Sequence, residues 1–445
     1  MNQTSRPAEG VAPAPVVVLA SASPRRRAML AGAGVPVRVR ATDIPETPGT
    51  AEAPDAFARR VAVEKAQAGR AARHGDDPPF VLACDTVVTL DGRILGKPAS
   101  TAEATEMLRA LSGRTHEVVT AFALAGQGQG GDTLHVGLDR TRVTFRTLDA
   151  DEIGAYVESG EPMDKAGGYG IQGLAGGFVT EVDGAYDTVV GLPVLPVLEC
   201  LEAARAIPPF SDPLLRRLAV LRARVAAACQ AVARDPAEVT LIAVSKTQPT
   251  DLLRRALALG LHVFGENYVQ EWREKAAALG EGPEWHFIGH LQSNKVKYLA
   301  PSVSAVHTLD SNATAEQLDR SAAKHARTID VLVQVNLGGE AQKSGVAPRE
   351  LGALLVSIAA CPNLLVRGLM TVPPDGPLCA SRAHFGALRR LRDRHATAER
   401  PLSWLSMGMS GDFDQAIAEG ATHIRVGTAL FGTRLAGVAP TTLSA

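Results

Sequence analysis

From Thr240 onward, short apolar stretches alternate eight times with amphipathic helical ones: "TLIAVSK", "HVFGENYV", "WHFIGH", "AVHTLD", "IDVLVQVNL", "LLVRGLMTV", "LSWLSMGM" and "HIRVGTALFG". Parallel strands need a crossover long enough to hold a helix, so this alternation, within about the last 220 residues with a preceding helix included, predicts a (β/α)8 barrel of TIM type. An extra helix from about Leu214 to Ala233 precedes it. The chain has 445 residues, more than a single core accommodates, so an upstream boundary is expected. The stretch "AIPPFSDP", Ala206 to Pro213, places three prolines among eight residues between two helix-like segments, and few backbone hydrogen bonds can cross it. The expected division is a frayed tail at 1–15, a first domain at 16–207, a linker at 208–213, the barrel at 214–437 and a tail at 438–445. The first half alternates less regularly and carries long strands such as "EVVTAFALA" and "TLHVGLDRTRVTFR", which predicts an α/β domain on a mixed sheet.

Charge narrows the partners. Lys and Arg total 46 against 47 Asp and Glu, so nothing global favours nucleic acid or a membrane surface, and any anion must be held locally. The five cysteines are scattered without a CxxC, which argues against a disulfide framework or structural zinc and favours a reducing, cytoplasmic setting. Neither a signal peptide nor a membrane-spanning apolar run is expected.

In "VVVLASASPRRRAML", Ser23 reads as an N-cap and Pro24 as the first helical residue, which aims free N–H groups and the positive dipole end at whatever lies beyond the strand. Arg25, Arg26 and Arg27 are about 100° apart on that helix, so at most two face one ligand. A solvated basic helix start is the plainer alternative. In "VLACDTVVTLDGRILGKP", Asp91-Gly92 signals a two-residue hairpin. Pairing Leu90 with Arg93 sets Thr86 opposite Lys97 and brings Lys97 near Asp85, a carboxylate in an apolar strand that needs a metal, a cation or donors. In "GEPMDKAGGYGIQGLAGG" a helix capped by Asp149 and Glu152 gives way to a glycine-dense loop, where Gln172 is the one side chain able to donate and accept toward a base edge. "AGQGQGGD", Ala125 to Asp132, has the look of GxGxxG but lies between strands and reads as a hairpin loop.

With "LASASPRRR", "DIPE", "EKA", "DTVV", "LDGRILGKP", "LSGRTHEVVT", "DKAGGYGIQG" and "VVGLP" in order, Val16 to about Ile207 resembles the Maf family of nucleoside triphosphate pyrophosphatases. The resemblance implies that Arg25, Arg26, Lys65 and Lys97 bind the triphosphate and that Asp85 activates water at the α-phosphorus. It also implies that Glu46 and Asp85 ligate Mg²⁺ or Mn²⁺. Arg25, Thr86 and Gln172 are similar to the branch acting on dTTP and UTP, with modified nucleotides as further substrates. Homodimerisation through the first half is implied too. In "YDTVVGLP", Asp187 and Thr188 depart from the family pattern and receive no role. A nucleotide-sensing regulator of division that binds without turnover is the rival.

"LIAVSKTQP" places Lys246 at the C-terminal end of the first barrel strand, the end where catalytic groups of such barrels gather. Lys246 there is either a nucleophile toward an aldehyde or the ion-pair partner of Glu266. Asn267, His290 and Asn294 stand at neighbouring strand ends, and His290 lacks a second ligand at metal spacing. Ser406, Ser410, Gly427 and Thr428, after strands seven and eight, are placed to cup a phosphate across the barrel. Leu214 to Arg434 thereby resembles the YggS family of pyridoxal phosphate (PLP) homeostasis proteins. That resemblance implies that Lys246 carries the cofactor as a Schiff base and that Arg425 approaches the pyridine nitrogen. It implies a carrier without turnover. A PLP-dependent amino-acid enzyme such as a racemase is disfavoured, because the sequence ends eleven residues after Arg434, without a second domain to supply an opposing base.

Overall fold

Two sheets organise the computed structural model, which describes residues 14–128, 131–340 and 343–433. The first is built from β1 (Val17–Leu19), β2 (Val37–Val39), β3 (Phe80–Leu90), β4 (Arg93–Leu95), β5 (Thr115–Gly128), β6 (Gly131–Phe145) and β7 (Val179–Asp183). Its order is β2-β1-β3-β5-β6-β7, with β4 pairing β3. β1 runs parallel to β2 and β3, and the remaining pairs are antiparallel, so the sheet is mixed as its irregular alternation predicts. Asp91 (φ 52°) and Gly92 (φ 78°) form the left-handed turn that sets Leu90 opposite Arg93. The β3–β4 ladder ends at Val88 and Leu95, so Thr86 and Lys97 are not cross-strand partners. The glycines after Ala125 turn β5 into β6, with Gly128 opposite Gly131. Residues 129–130, the tail at 438–445, Arg434 and all of the 1–15 tail except Ala14 and Pro15 lie outside the described residues.

α1 (Pro24–Gly32) leaves the end of β1, and α2 (Pro54–Ala71) packs Phe57, Val61 and Ala62 on the sheet face formed by Val18, Val81 and Ala121. α3 (Thr101–Leu111), α4 (Ala150–Glu158), α5 (Tyr186–Val190) and α6 (Val194–Ala203) join α1 over the opposite face. The departure at Asp187 and Thr188 is structural. Asp187 Oδ2 accepts from the first amide of α6, Val194 N (2.7 Å), and the Thr188 hydroxyl donates to Asp139.

The second sheet is a closed parallel barrel of β8 (Thr240–Val244), β9 (Val263–Glu266), β10 (Glu284–Phe287), β11 (Ala305–Leu309), β12 (Ile329–Gln334), β13 (Leu364–Met370), β14 (Trp404–Ser406) and β15 (His423–Val426), with β15 pairing β8. α7 (Pro213–Ala231), capped by Asp212 with Pro213 at its first position, is the extra helix that precedes it. A helix follows each strand: α8 (Thr250–Ala258), α9 (Val269–Leu279), α10 (Val296–Leu299), α11 (Asn312–Lys324), α12 (Leu351–Ile358), α13 (Leu378–His395), α14 (Phe413–Ala418) and α15 (Thr428–Phe431).

The proline-rich break does not keep the halves apart. α7 buries Leu214, Leu218 and Leu221 in the barrel core, while Ala219, Ala223 and Ala227, four residues apart, join the core of the first half. That alanine stripe meets α1 so closely that a Cβ on Gly32 would lie 2.6 Å from Arg222 O and 2.8 Å from Ala226 Cβ. Gly32→Ala gains ~1 kcal/mol of helix propensity but forces α1 and α7 apart, an overpacking cost of ~1–3 kcal/mol. The expected result is a lower urea midpoint for the full chain, whereas a propensity-dominated site would raise it.

Candidate functional site

A cavity of about 630 Å³ opens where β1 ends and α1 begins. Ser23 and Pro24 start the helix as its sequence predicts, Arg25 and Arg26 line the cavity, and Arg27 is exposed. Arg26 is fixed by three bonds, from Nε to Gly191 O (2.8 Å), Nη1 to Ser21 Oγ (3.2 Å) and Nη2 to Thr86 Oγ1 (3.1 Å). Thr86 in turn shares a hydrogen bond with Thr120 (2.9 Å). Arg25 has a buried Nε without a partner, and burial together with the neighbouring Arg26 charge lowers its pKa from the ordinary value. A bound anion would relieve both.

Asp85 finds its counter-charge in a different residue from the one its register suggested. Lys65 Nζ from α2, only 7% exposed, lies 2.8 Å from Asp85 Oδ1 and 2.6 Å from Glu46 Oε1. Lys97, carried past the end of the hairpin, is the more exposed cation and lies 3.5 Å from Glu46 Oε2. Burial pushes the Glu46 carboxyl up, but Lys65 and then Lys97 outweigh it and leave it below the usual carboxylate range. Among the described residues no three His, Cys, Asp or Glu side chains gather as a metal centre. The two carboxylates expected to hold a divalent ion, Glu46 and Asp85, are brought together at Lys65.

Gln172 also lines the cavity. It is 7% exposed, and neither Oε1 nor Nε2 has a hydrogen-bond partner. An unsatisfied buried amide costs free energy that a ligand offering a matching donor and acceptor would recover. The loop around it needs glycine for close approach: a Cβ on Gly173 would lie 2.1 Å from Glu161 Oε1, whose carboxylate accepts from Tyr156 OH and Leu174 N. All eight residues expected at this site, Arg25, Arg26, Glu46, Lys65, Asp85, Thr86, Lys97 and Gln172, line the same cavity. Two further lining residues, Gln230 and Ala231, come from α7. Their proximity depends on the packing of the halves and has no local signal.

In the barrel, Lys246 is half-buried just past β8, in a turn where Thr247 takes a left-handed φ of 62°. Glu266, its expected ion-pair partner, is engaged elsewhere: Oε1 accepts from Lys275 Nζ (2.7 Å) and Ser245 Oγ (2.7 Å). Burial raises the Glu266 carboxyl, with Lys275 opposing. Lys275 went unnoticed in the sequence, although Glu271 and Lys275 are four apart on α9. Asn267 presents a buried Oδ1 without a partner beside this strand end. His290 bonds Ser344 Oγ through Nδ1 (2.9 Å), and Asn294 is exposed.

The expected phosphate cup divides. Ser410 Oγ accepts from Ala429 N (3.2 Å), which joins Ser410 to Gly427 and Thr428 at the start of α15. Because β15 pairs with β8, this cradle adjoins the Lys246 strand end and does not face it across the barrel. Ser406 is not part of it. Strand alternation turns Ser406 into the barrel, where it is fully buried and accepts from Arg425 Nη1 (2.8 Å). Arg425 Nη2 donates to Thr371 O (2.9 Å), and burial lowers this guanidinium to about 10 against the opposing pull of Asp412.

Ser406 also begins an internal chain of hydrogen bonds. Its Oγ bonds His307 Nδ1 (2.9 Å), His307 Nε2 bonds His286 Nδ1 (3.0 Å), and His286 Nε2 bonds Glu284 Oε1 (3.0 Å) at the half-exposed start of β10. Arg425 can only donate and the Glu284 carboxylate accepts, so Ser406 and the two imidazoles between them form a continuous hydrogen-bonded chain. The paired spacings Glu284/His286 and His423/Arg425, two apart on their strands, were the available signal for these inward polar groups.

The comparisons with known proteins divide the chain similarly. Residues 16–204 match the family model of Maf-like proteins, and residues 217–435 match that of the alanine racemase N-terminal domain. A dTTP/UTP pyrophosphatase of Shewanella denitrificans is 47% identical over 192 residues, covering 42% of this chain and 94% of that protein. A pyridoxal phosphate homeostasis protein of Pseudomonas aeruginosa is 45% identical over 222 residues, covering 50% of this chain and 96% of that protein. Among solved structures, PipY of Synechococcus elongatus with PLP bound has 38% identity and a TM-score of 0.44, covering 49% of this chain and all of that one.

The buried histidines set a pH dependence. Burial depresses His116 to about 4 and His423 to about 3, and holds His307 well below its ordinary value with help from His286, His423 and Arg425. The unfolded chain then takes up the extra protons, so stability is complete above the unfolded value of about 6.5 and falls as pH drops toward the folded values, by up to ~1.4 kcal/mol per pH unit per histidine. Urea midpoints should fall between pH 7 and 5, and His423→Leu, which keeps an apolar filler against Trp404, should flatten the slope by one histidine's share.

Proposed function

The chain belongs over its first half to the Maf-like proteins and over its second to the pyridoxal phosphate homeostasis proteins, and on that premise we propose a two-function fusion. Its first half hydrolyses dTTP or UTP to the monophosphate and pyrophosphate, and its second binds PLP as a carrier. The observation that carries the first activity is the single cavity that brings together Arg25, Arg26, Lys65 and Lys97, the carboxylates of Glu46 and Asp85, and the unpartnered buried amide of Gln172. Its volume suits a ligand of nucleotide size.

Within that cavity the triphosphate lies against the first turn of α1, with Arg25, Arg26 and Lys97 neutralising its oxygens. Glu46 and Asp85 would hold the divalent ion, which when bound neutralises phosphate charge and acidifies water. Asp85 takes the proton of the water whose oxygen attacks the α-phosphorus. The bond from that phosphorus to the bridging oxygen breaks, and pyrophosphate leaves with the electron pair. Lys65, bonded to both carboxylates, keeps them from moving apart and places Asp85. Gln172 accepts from the N3–H of thymine or uracil and donates to its O4, which pairs both of its unsatisfied atoms.

In the barrel, Lys246 would hold PLP covalently, the Ser410, Gly427 and Thr428 cradle would take its phosphate, and Asn267 would meet a ring substituent. Arg425, already committed to Ser406 and Thr371, offers the ring nitrogen a donor and no proton acceptor, a setting that restrains the cofactor's electron-sink chemistry and suits a carrier.

Asp85→Asn should lower pyrophosphate release from dTTP with Mn²⁺ by about 10²–10⁴-fold, and wild type that releases none from any nucleoside triphosphate would mark a sensor. Lys246→Ala should abolish the visible absorbance of bound PLP while leaving pyrophosphate release intact. Steady racemisation or transamination of amino acids by wild type would instead make the barrel an enzyme.

A further inference from the structure

The loop that carries Gln172 is held from the barrel side. Gln415 at the centre of α14 is 1% exposed, and its Nε2 donates to Ile171 O (3.3 Å). Arg382 of α13 donates through Nη1 to Gly173 O and to Gln415 Oε1 (3.1 Å), while its Nε is tied to Glu419 Oε1 (3.1 Å). The carbonyls immediately before and after Gln172 are thus each bonded to a second-half side chain, and those two side chains are bonded to each other. Room for this approach requires Gly176, where a Cβ would lie 2.4 Å from Arg382 Nη1 and 2.6 Å from Gln415 Oε1. On the opposite side the loop rests on Glu161 and Tyr156 of the first half.

We infer that Gln415 and Arg382 are positioning residues for base selection, so that the barrel half sets the orientation with which Gln172 reads the nucleotide. The inference rests on the proposed role of Gln172 as the base-reading group. Two hydrogen bonds to a base edge require the amide plane to be held within a narrow angle, and the backbone carrying Gln172 lies between Gly170 and Gly173, residues that impose little conformational restraint of their own. Fixing the flanking carbonyls supplies that restraint. Gln415 touches neither the phosphates nor the reacting atoms, so its loss acts on binding and discrimination and leaves the chemical step alone.

The test compares kcat and KM for dTTP and dCTP in the full chain. Gln415→Glu keeps the acceptor for Arg382 and removes the donor to Ile171 O, and Gln415→Met removes both. Either should raise KM for dTTP and reduce the dTTP to dCTP preference by about fivefold to tenfold, the worth of one hydrogen bond, with kcat for dTTP changed less than twofold. In a Gln172→Ala background the same substitutions should have no further effect on the preference, a coupling that general destabilisation would not produce. Retained absorbance of bound PLP and a single cooperative urea transition show that the variants fold. If Gln172→Ala lowers the preference but neither Gln415 variant does, or if their effects simply add, the positioning role is overturned. If Gln172→Ala itself leaves the preference unchanged, the base-reading role fails and the inference falls with it.

Discussion

The arrangement of this molecule depends on one helix having two buried faces. α7 sends leucines into the barrel and a stripe of alanines against α1, and small side chains on that stripe permit backbones to approach as closely as Gly32 does to Arg222. α1 is also the helix whose first turn carries Arg25 and Arg26, so the element that positions the cavity's cations is itself packed on the second half. The contact is keyed by charge as well as shape. Arg224 of α7 pairs with Asp414 of α14 and lies between the rings of Tyr186 and Phe413. A slip of the interface would take the Tyr186 ring of the first half off the Arg224 guanidinium, while the Arg224–Asp414 pair lies wholly within the second half.

A chain with almost no net charge can still bind a polyanion because the cations are brought together locally. Four carboxylates line the same cavity, and Lys65 links two of them, Glu46 and Asp85. Desolvation alone would discharge Glu46, yet the two lysines keep it anionic, so the pocket holds a balanced set of charges of both signs. The base-reading group is built differently: Gln172 is left unsatisfied inside the fold, an arrangement that structures avoid unless a ligand completes it. Charge thus provides attraction, and hydrogen-bond geometry provides selection.

The barrel interior shows how strand alternation sorts residues that lie adjacent in sequence. Ser406 and Ser410 both follow the seventh strand, yet one faces the axis and bonds Arg425 and His307, while the other meets the amides after β15. The inward group is a continuous hydrogen-bonded chain from Glu284 through two histidines to Ser406, which with Thr371 O accepts from Arg425 and fixes the direction of its guanidinium. The phosphate-sized cradle sits at the neighbouring strand end, beside Lys246.

Much of this was legible without coordinates. The eightfold alternation determined the barrel, the Asp91-Gly92 pair determined the hairpin register, Ser23-Pro24 determined where α1 begins, and the motifs named Arg25, Arg26, Glu46, Lys65, Asp85 and Lys97 in the cavity, though not its further charged residues Glu161, Asp164 and Lys165. These are local properties: periodicity, turn conformation and capping act within a few residues of chain. Tertiary structure alone decided that Lys65, not Lys97, sits against Asp85, that Lys275 engages Glu266, that Ser406 belongs to the core, and that Gln415 and Arg382 reach the Gln172 loop. Each of those depends on the distance between atoms far apart along the chain, which is set by the packing of whole elements and leaves no periodic trace in the sequence.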